Sequence, residues 1–323
     1  MGGVQAAQLV AGAGNLLKSD NRRGIVMMLL AVALLSLMDA GMKALAADYP
    51  PLQVAALRAA ASWPIVAAWI LAQGGARSLL RVRWSLHLLR GCIGVLMLGS
   101  FVYALRSLPL TTAYTLFFVA PLIITLLSRP LLGERIGLPR WIAIVGGFVG
   151  VLIALRPGFA GAVSWASLAV LLAAVGYALS AITVRVLGRT DSTASMVFWL
   201  LTFMAAGAGL LAAPGWVALR PEHWLLVGGV GVVGALGQFT ITEAFARSEA
   251  SVIAPLEYTA LLWAVLFDAL VWSALPGAST WAGAAVIVAC GLYLIRHERG
   301  AAVIAAEPSI HAQASSHPDR AIG

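Results

Sequence analysis

A single carboxylate stands inside the apolar run VIAPLEYTALLWA, Val252 to Ala264. A charged group at the centre of a membrane helix costs about 2.5–3.5 kcal/mol on insertion scales, so it needs a partner, a cavity or a ligand. Glu257 therefore reads as a contact for a cation or a proton; the plainer alternative is an ion pair that only fixes helix packing. Pro255 lacks a backbone N–H and loosens the turn before it, freeing a carbonyl near Ser251. Tyr258 adjoins Glu257. Other polar groups interrupt apolar runs in the same way. Asp39 and Lys43 are four apart and share a helix face. They read first as a helix-internal salt bridge and second as a gate or proton relay. Arg58 lies early in the next run, within reach of a network with Asp39. Asp268 reads as a carboxylate that snorkels at a span end. Gln238 and Thr242 share a hydrogen-bonding face, and Glu243 is placed to pair with Arg247. Tyr114, Phe117, Phe118 and Pro121 form an aromatic segment broken by proline. Such a wall suits a flat or cationic organic solute through stacking and cation–π attraction, or else a packing stripe.

No catalytic set emerges. His87, His223 and His297 fall at span ends or loops, His311 and His317 in the C-terminal tail, and neither H-E-x-x-H nor G-x-S-x-G occurs. Cys92 and Cys290 lie inside apolar runs and fit neither a disulfide framework nor a metal site. No metal and no cofactor is expected. Gly229-Val230-Gly231-Val232-Val233-Gly234 matches the dinucleotide fingerprint to the letter, but it lies within a long apolar run with no strand before it. Small residues there let helices approach closely, and Gly146 and Gly150 read likewise. No P-loop is present to use ATP.

These residues need a membrane scaffold to position them. The chain is 61% hydrophobic and 11% charged, against about 25% charged in soluble domains. Its mean hydropathy is +0.93. Runs of about 18 or more apolar residues recur along its length, each long enough to span a bilayer. The expected fold is an all-α membrane protein of ten transmembrane helices. The first span is read as Gly24–Ala46, the fourth as Leu110–Leu132 and the ninth as Ser251–Trp272. The net charge of +8 comes from short Lys and Arg clusters between spans, which points to the positive-inside rule and away from nucleic acid. Both termini are expected in the cytoplasm, as tails over 1–22 and 297–323, with 1–20 and about 300–323 disordered. Ala44-Leu45-Ala46 resembles a signal cleavage site, but the preceding run is long and carries Asp39 and Lys43, so it is expected to stay uncleaved.

The chain also repeats itself. A shift of 140 lays Trp84 on Trp224 (224 − 84 = 140), Gly91 on Gly231, Gly94 on Gly234, Trp141 on Trp281 and Arg156 on Arg296. The repeats are read as 23–156 and 163–296. Five spans per repeat is odd, so the second must enter the membrane inverted around a central cavity. Inverted repeats build alternating-access transporters with a midplane site. Phe117 falls on Glu257 under this shift, placing an aromatic position opposite an acidic one.

LPLTTAYTLFFVAPLIITLLSRPLLGER and RWIAIVGGFVGVLIALRPG in the first half, with APLEYTALLWA and TWAGAAVIVACGLYLIRHE in the second, resemble the EamA branch of the drug/metabolite transporter superfamily. The resemblance implies a bacterial inner-membrane permease. Its cargo would be a small organic metabolite: an amino acid, a nucleoside-like or a cofactor-like solute. Some members resemble S-adenosylmethionine or riboflavin carriers, others amino-acid exporters. Ala274 occupies the position equivalent to Glu134, so no role can require that glutamate twice. Proton coupling through Glu257 or Asp39, exchange and facilitated diffusion all fit, as do a monomer and a homodimer. An intramembrane enzyme acting on a lipid, or a non-transporting membrane protein, is the other reading; the enzyme would need His or carboxylates clustered at one interface.

Overall fold

The computed structural model describes residues 2–72, 79, 82–132, 137–155, 164–247, 254–293 and 296. Where water is absent, a helix satisfies every backbone N–H and C=O internally, so apolar runs become helices. In chain order they are α1 (Gly2–Ala46), α2 (Pro51–Ala72), α3 (Trp84–Leu105), α4 (Leu110–Phe117), α5 (Ala120–Leu132), α6 (Leu138–Leu155), α7 (Trp165–Leu187), α8 (Thr193–Ala212), α9 (Trp224–Arg247), a 3-10 segment (Ala254–Thr259), α10 (Ala260–Trp272) and α11 (Ala278–Tyr293). No strand occurs among the described residues. Among the described residues six helical segments are long and apolar enough to cross a membrane, and shorter apolar helices accompany them.

One expectation about the ends changes. Helix α1 starts at Gly2, so the segment read as a loose tail runs on as helix before the crossing part Arg23–Ala46. Residues 297–323 lie outside the described residues.

The bundle is apolar on its outside. Leu225 is 87% exposed, Leu210 76% and Leu138 73%. Lipid covers such a surface at no cost, whereas water would drive it to aggregate. Inside, close backbone approach replaces the hydrophobic effect as the source of cohesion. A Cβ on Gly41 would meet the Val230 side chain at 2.5 Å, one on Gly234 the Met38 Sδ at 2.8 Å, and one on Gly231 would collide with Ala61. The glycine-rich motif of α9 is thus a seat for α1 and α2. Gly150 seats α6 on Ile287 and Gly283 of α11 in the same way.

The main packed pairs are α1 with α9, α3 with α7 and α2 with α8. The 140-residue shift exchanges the first two pairs and returns the third to itself. Packing therefore follows the sequence repeat.

In both halves an α-helix begins at the same place, behind a turn or a 3-10 segment. The fourth span, read as one helix, is split: Pro121 lacks an N–H and clashes with the carbonyl four residues back. Around it the bonding tightens, with Val119 N–H donating to the Leu116 carbonyl at 3.4 Å and Leu122 N–H to the Val119 carbonyl at 3.0 Å. Helix α5 then restarts at Ala120. In the second half the 3-10 segment carries Pro255 and Glu257, and α10 restarts at Ala260. Ala120 and Ala260 are equivalent under the shift, and so are the ends Leu132 and Trp272.

Candidate functional site

A buried polar knot closes the end of the bundle where α1 stops and α4 starts. Asp268 is fully buried. Its carboxylate accepts the Leu110 N–H at 2.9 Å, the Thr111 N–H at 2.7 Å and the Thr111 hydroxyl at 2.9 Å. Helix α4 starts on a Pro109 without a side-chain cap, so a carboxylate from another helix supplies the cap that its free N–H groups need. Lys43 Nζ donates to Asp268 at 3.2 Å and to the Leu108 carbonyl at 2.9 Å. It also lies 4.4 Å from the Trp272 ring centroid. Ser273, at φ 50, ends α10 in the left-handed region, and the Ala274 N–H turns back to the Asp268 carbonyl at 2.9 Å.

This corrects two sequence readings. Asp268 does not snorkel; it caps α4. Lys43 does not pair with Asp39 along α1, because a buried partner with further donors around it offers a better site than a neighbour one turn away. Asp39 instead accepts the Tyr114 hydroxyl at 2.6 Å. Arg58 acts on Asp39 electrostatically and donates through Nε to Met38 Sδ at 3.3 Å.

From Tyr114 an aromatic strip runs through the interior. Tyr114 meets Phe118 at 6.2 Å between centroids, and Phe118 meets Tyr258 edge-on at 5.1 Å. On the other side Tyr114 stacks on Phe101, Phe101 meets Phe117 at 5.6 Å, and Phe117 meets Tyr177 at 5.4 Å. Tyr177 is an electrostatic neighbour of Glu257. The carboxylate of Glu257 sits in the 3-10 segment, half-buried. The structure thus brings together Glu257, Tyr258, Phe117, Phe118 and Tyr114, and joins Asp39, Lys43 and Arg58 to their far end.

The remaining named residues divide. Gln238 lies half-buried on α9, one turn from Gly234, which touches Met38. Thr242 and Glu243 are on the same helix, Pro255 is in the 3-10 segment and Pro121 opens α5. The side chains of Thr242, Glu243, Pro255 and Arg247 lie outside the described residues, as do Glu134 and Ser251. Sequence reasoning missed Phe101 and Tyr177. A lone aromatic in an apolar run carries no signal of its own, although Tyr177 could have been found as an aromatic breach of a small-residue stretch.

It also missed two contacts that tie the halves at their ends. His87 Nε2 lies 2.8 Å from Asp191 Oδ2, both side chains almost fully buried. Asp191 also accepts the Arg83 N–H at 3.1 Å and the Thr190 hydroxyl at 2.6 Å. Burial alone would push the Asp191 carboxyl up; the donors from Thr190, His87 and Arg83 outweigh it and hold the group below its ordinary value. At the other end Tyr49 Oη lies 2.7 Å from His223 Nδ1, and Asp48 pairs with Arg220 at 3.2 Å.

No group of three or more His, Cys, Asp or Glu that could hold a metal occurs among the described residues. A cleft of about 890 Å³ opens between α3 and α8, lined by Leu88, Cys92, Leu96, Gly99, Phe203 and Gly207 among others. Its lining carries no charged group and shares no residue with the aromatic strip.

Known proteins share this design. A riboflavin transporter of Vibrio cholerae is 31% identical over 251 residues, 77% of this chain and 84% of the relative. A pseudopaline exporter of Pseudomonas aeruginosa is 31% identical over 294 residues, covering 88% and 99%. An S-adenosylmethionine uptake transporter of Rickettsia conorii is 29% identical over 227 residues, covering 70% and 77%. A solved crystal structure matches the fold with a TM-score of 0.60 at 23% identity, over 85% of this chain and 96% of that one. The EamA-like transporter family matches twice, over residues 22–156 and 164–296, and the chain belongs to it.

Proposed function

We propose that this protein is a secondary transporter that moves a small organic metabolite across the inner (cell) membrane by alternating access. In this reading ten crossings form two inverted halves, 23–156 and 163–296, around a central cavity, with both termini cytoplasmic. The observation that carries it is the pair of helix starts at equivalent places, Ala120 of α5 behind the turn after α4 and Ala260 of α10 behind the 3-10 segment. Interrupted helices in corresponding positions of two repeats mark the substrate site of such transporters. The 3-10 segment in the second half presents Glu257; the turn in the first presents Phe117 and Phe118 on the aromatic strip.

A carboxylate at one end of an aromatic strip favours a solute with a flat ring, a positive charge or both. Riboflavin offers the first and S-adenosylmethionine both, and each is the named cargo of a relative. Glu257, Tyr258, Phe117, Phe118, Tyr114, Gln238 and Thr242 form the binding surface. Asp39, Lys43, Arg58, Pro121 and Pro255 serve gating or coupling. Glu257 and Asp39 are the two groups that would exchange a proton if the cycle is proton-coupled.

The test is uptake of radiolabelled riboflavin and S-adenosylmethionine into proteoliposomes across a pH series. The wild type should accumulate at least one of them above empty vesicles. Glu257→Gln should insert normally and lose most of that flux or shift its pH dependence. Normal flux and an unchanged profile in Glu257→Gln would reassign the residue to packing.

A further inference from the structure

Arg58 stands on the interior face of α2. Its neighbours one turn away on that face, Val54 and Ser62, are buried, as are Ala55 and Ala59. The side chain nevertheless keeps accessible surface. Its Nε touches Met38 of α1, which is itself buried.

A guanidinium carries five N–H donors in a planar fork that matches a carboxylate or a phosphate. The donor Nε is spent on a thioether, a weak acceptor. Among the described residues no carboxylate lies within ion-pair distance of Arg58. The one acid that acts on it, Asp39, gives an oxygen to Tyr114 instead. Nor does the fold need a cation here. The equivalent position in the second half is Phe198, which packs against Trp63 and Trp199.

Arg58 and Glu257 also stand at opposite ends of one strip. Asp39 and Tyr114 connect Arg58 to the aromatic rings, and Tyr177 connects the same rings to Glu257. We propose that Arg58 is the anion-binding group of the cavity, taking the carboxylate or phosphate of a cargo whose ring rests on the aromatic strip. The inference rests on the reading of this interior as the transport site. Asp39 competes with the incoming anion for the same guanidinium, so an empty cavity stays charge-balanced and a bound anion displaces that balance.

The experiment uses the purified full chain in detergent. Thermal unfolding is followed at fixed ionic strength against increasing phenyl phosphate, with benzyl alcohol as the uncharged ring control. Ligand that binds only the folded state raises the transition temperature, and the concentration dependence gives an apparent affinity. Phenyl phosphate should stabilise the wild type. Arg58→Gln should weaken its apparent affinity at least tenfold, and Asp39→Asn should tighten it at least threefold. Benzyl alcohol should act equally on all three proteins. The opposite sign of Asp39→Asn cannot come from misfolding, and it carries the test if Arg58→Gln does not fold. No stabilisation of the wild type, equal affinity in wild type and Arg58→Gln, or weaker binding in Asp39→Asn overturns the proposal. The shift needs no transport, so absent flux in vesicles with an intact shift would sink the transport reading alone.

Discussion

Truncating Asp268 to alanine tests how the bundle end is held. The substitution removes the acceptor of four hydrogen bonds at once: Lys43 Nζ, the Leu110 and Thr111 N–H groups, and the Thr111 hydroxyl. It leaves Lys43 buried with the Leu108 carbonyl and the Trp272 ring. Breaking a buried ion pair from one side costs about 3–5 kcal/mol, since the other charge stays uncompensated. The orphaned N–H groups add to this at about 1–3 kcal/mol each when they stay dry. Water entering from the nearby end would hydrate those N–H groups and return nearly all of that second cost. The expected loss is therefore about 3–5 kcal/mol, roughly two to four powers of ten in the unfolding equilibrium. Tryptophan fluorescence during detergent-mediated unfolding measures it. Adding Lys43→Met to Asp268→Ala should recover about half the loss, because it removes the stranded cation. A loss below about 1 kcal/mol for Asp268→Ala, or a double variant worse than the single one, would show that the knot is not what closes this end.

Three further outcomes are expected. Gly150→Leu should abolish accumulation in the membrane, because a Cβ there already stands 2.7 Å from Ile287 and 3.1 Å from the Gly283 carbonyl; normal abundance on a membrane immunoblot would be the contrary result. Asp191 sits below its ordinary value, so its contribution is full above the ordinary carboxylate range and fades as pH falls through the folded-state value. Thermal unfolding of Asp191→Asn across acidic pH should accordingly lack that decline, and identical acid profiles for wild type and variant would count against it. A reporter fused after Arg299 should be active as a cytoplasmic fusion and one inserted near Gly161 as a periplasmic one; the reverse pattern would break the ten-crossing topology.

What could be read from the residues was whatever repeats or costs energy locally. Long apolar runs specify helices because lipid offers the backbone no other partner. The paired tryptophans Trp84 and Trp224 exposed the repeat because each opens an equivalent span. Glu257 was visible because a carboxylate in hydrocarbon is expensive, and Pro255 and Pro121 marked the loosened turns. The partners were not visible. Asp39 and Lys43 look like a pair along one helix, yet Asp268, 225 residues away, binds Lys43, since only the assembled bundle brings the bare start of α4 to a buried acid. Tyr177 and Phe101 gain meaning from the rings they touch.

The repeat sets the geometry of the two ends, and the differences between halves set their strengths. Each end has a histidine contact between the halves: Tyr49 with His223 at one, His87 with Asp191 at the other. Neither contact is the image of the other under the shift. The knot is not matched either. Under the shift Lys43 becomes Thr183, Asp268 becomes Ser128, Asp39 becomes Leu179 and Arg58 becomes Phe198. Thr183 spends its hydroxyl on the Ser180 carbonyl of its own helix at 2.7 Å, so it bridges nothing across the halves. If the halves exchange places as an inverted repeat allows, one mouth is closed by the buried Lys43–Asp268 pair and the other by the buried His87–Asp191 contact, with no equivalent of Lys43 or Asp268 there. Opening the first requires separating two charges in a low dielectric, at several kcal/mol unless cargo offsets it. A ligand moves such an equilibrium only through its differential affinity for the two states. Arg58 lies on the strip just inside that mouth. An anion bound there would draw on the same local charge balance as Lys43 and Asp268, which gives cargo its leverage over that seal.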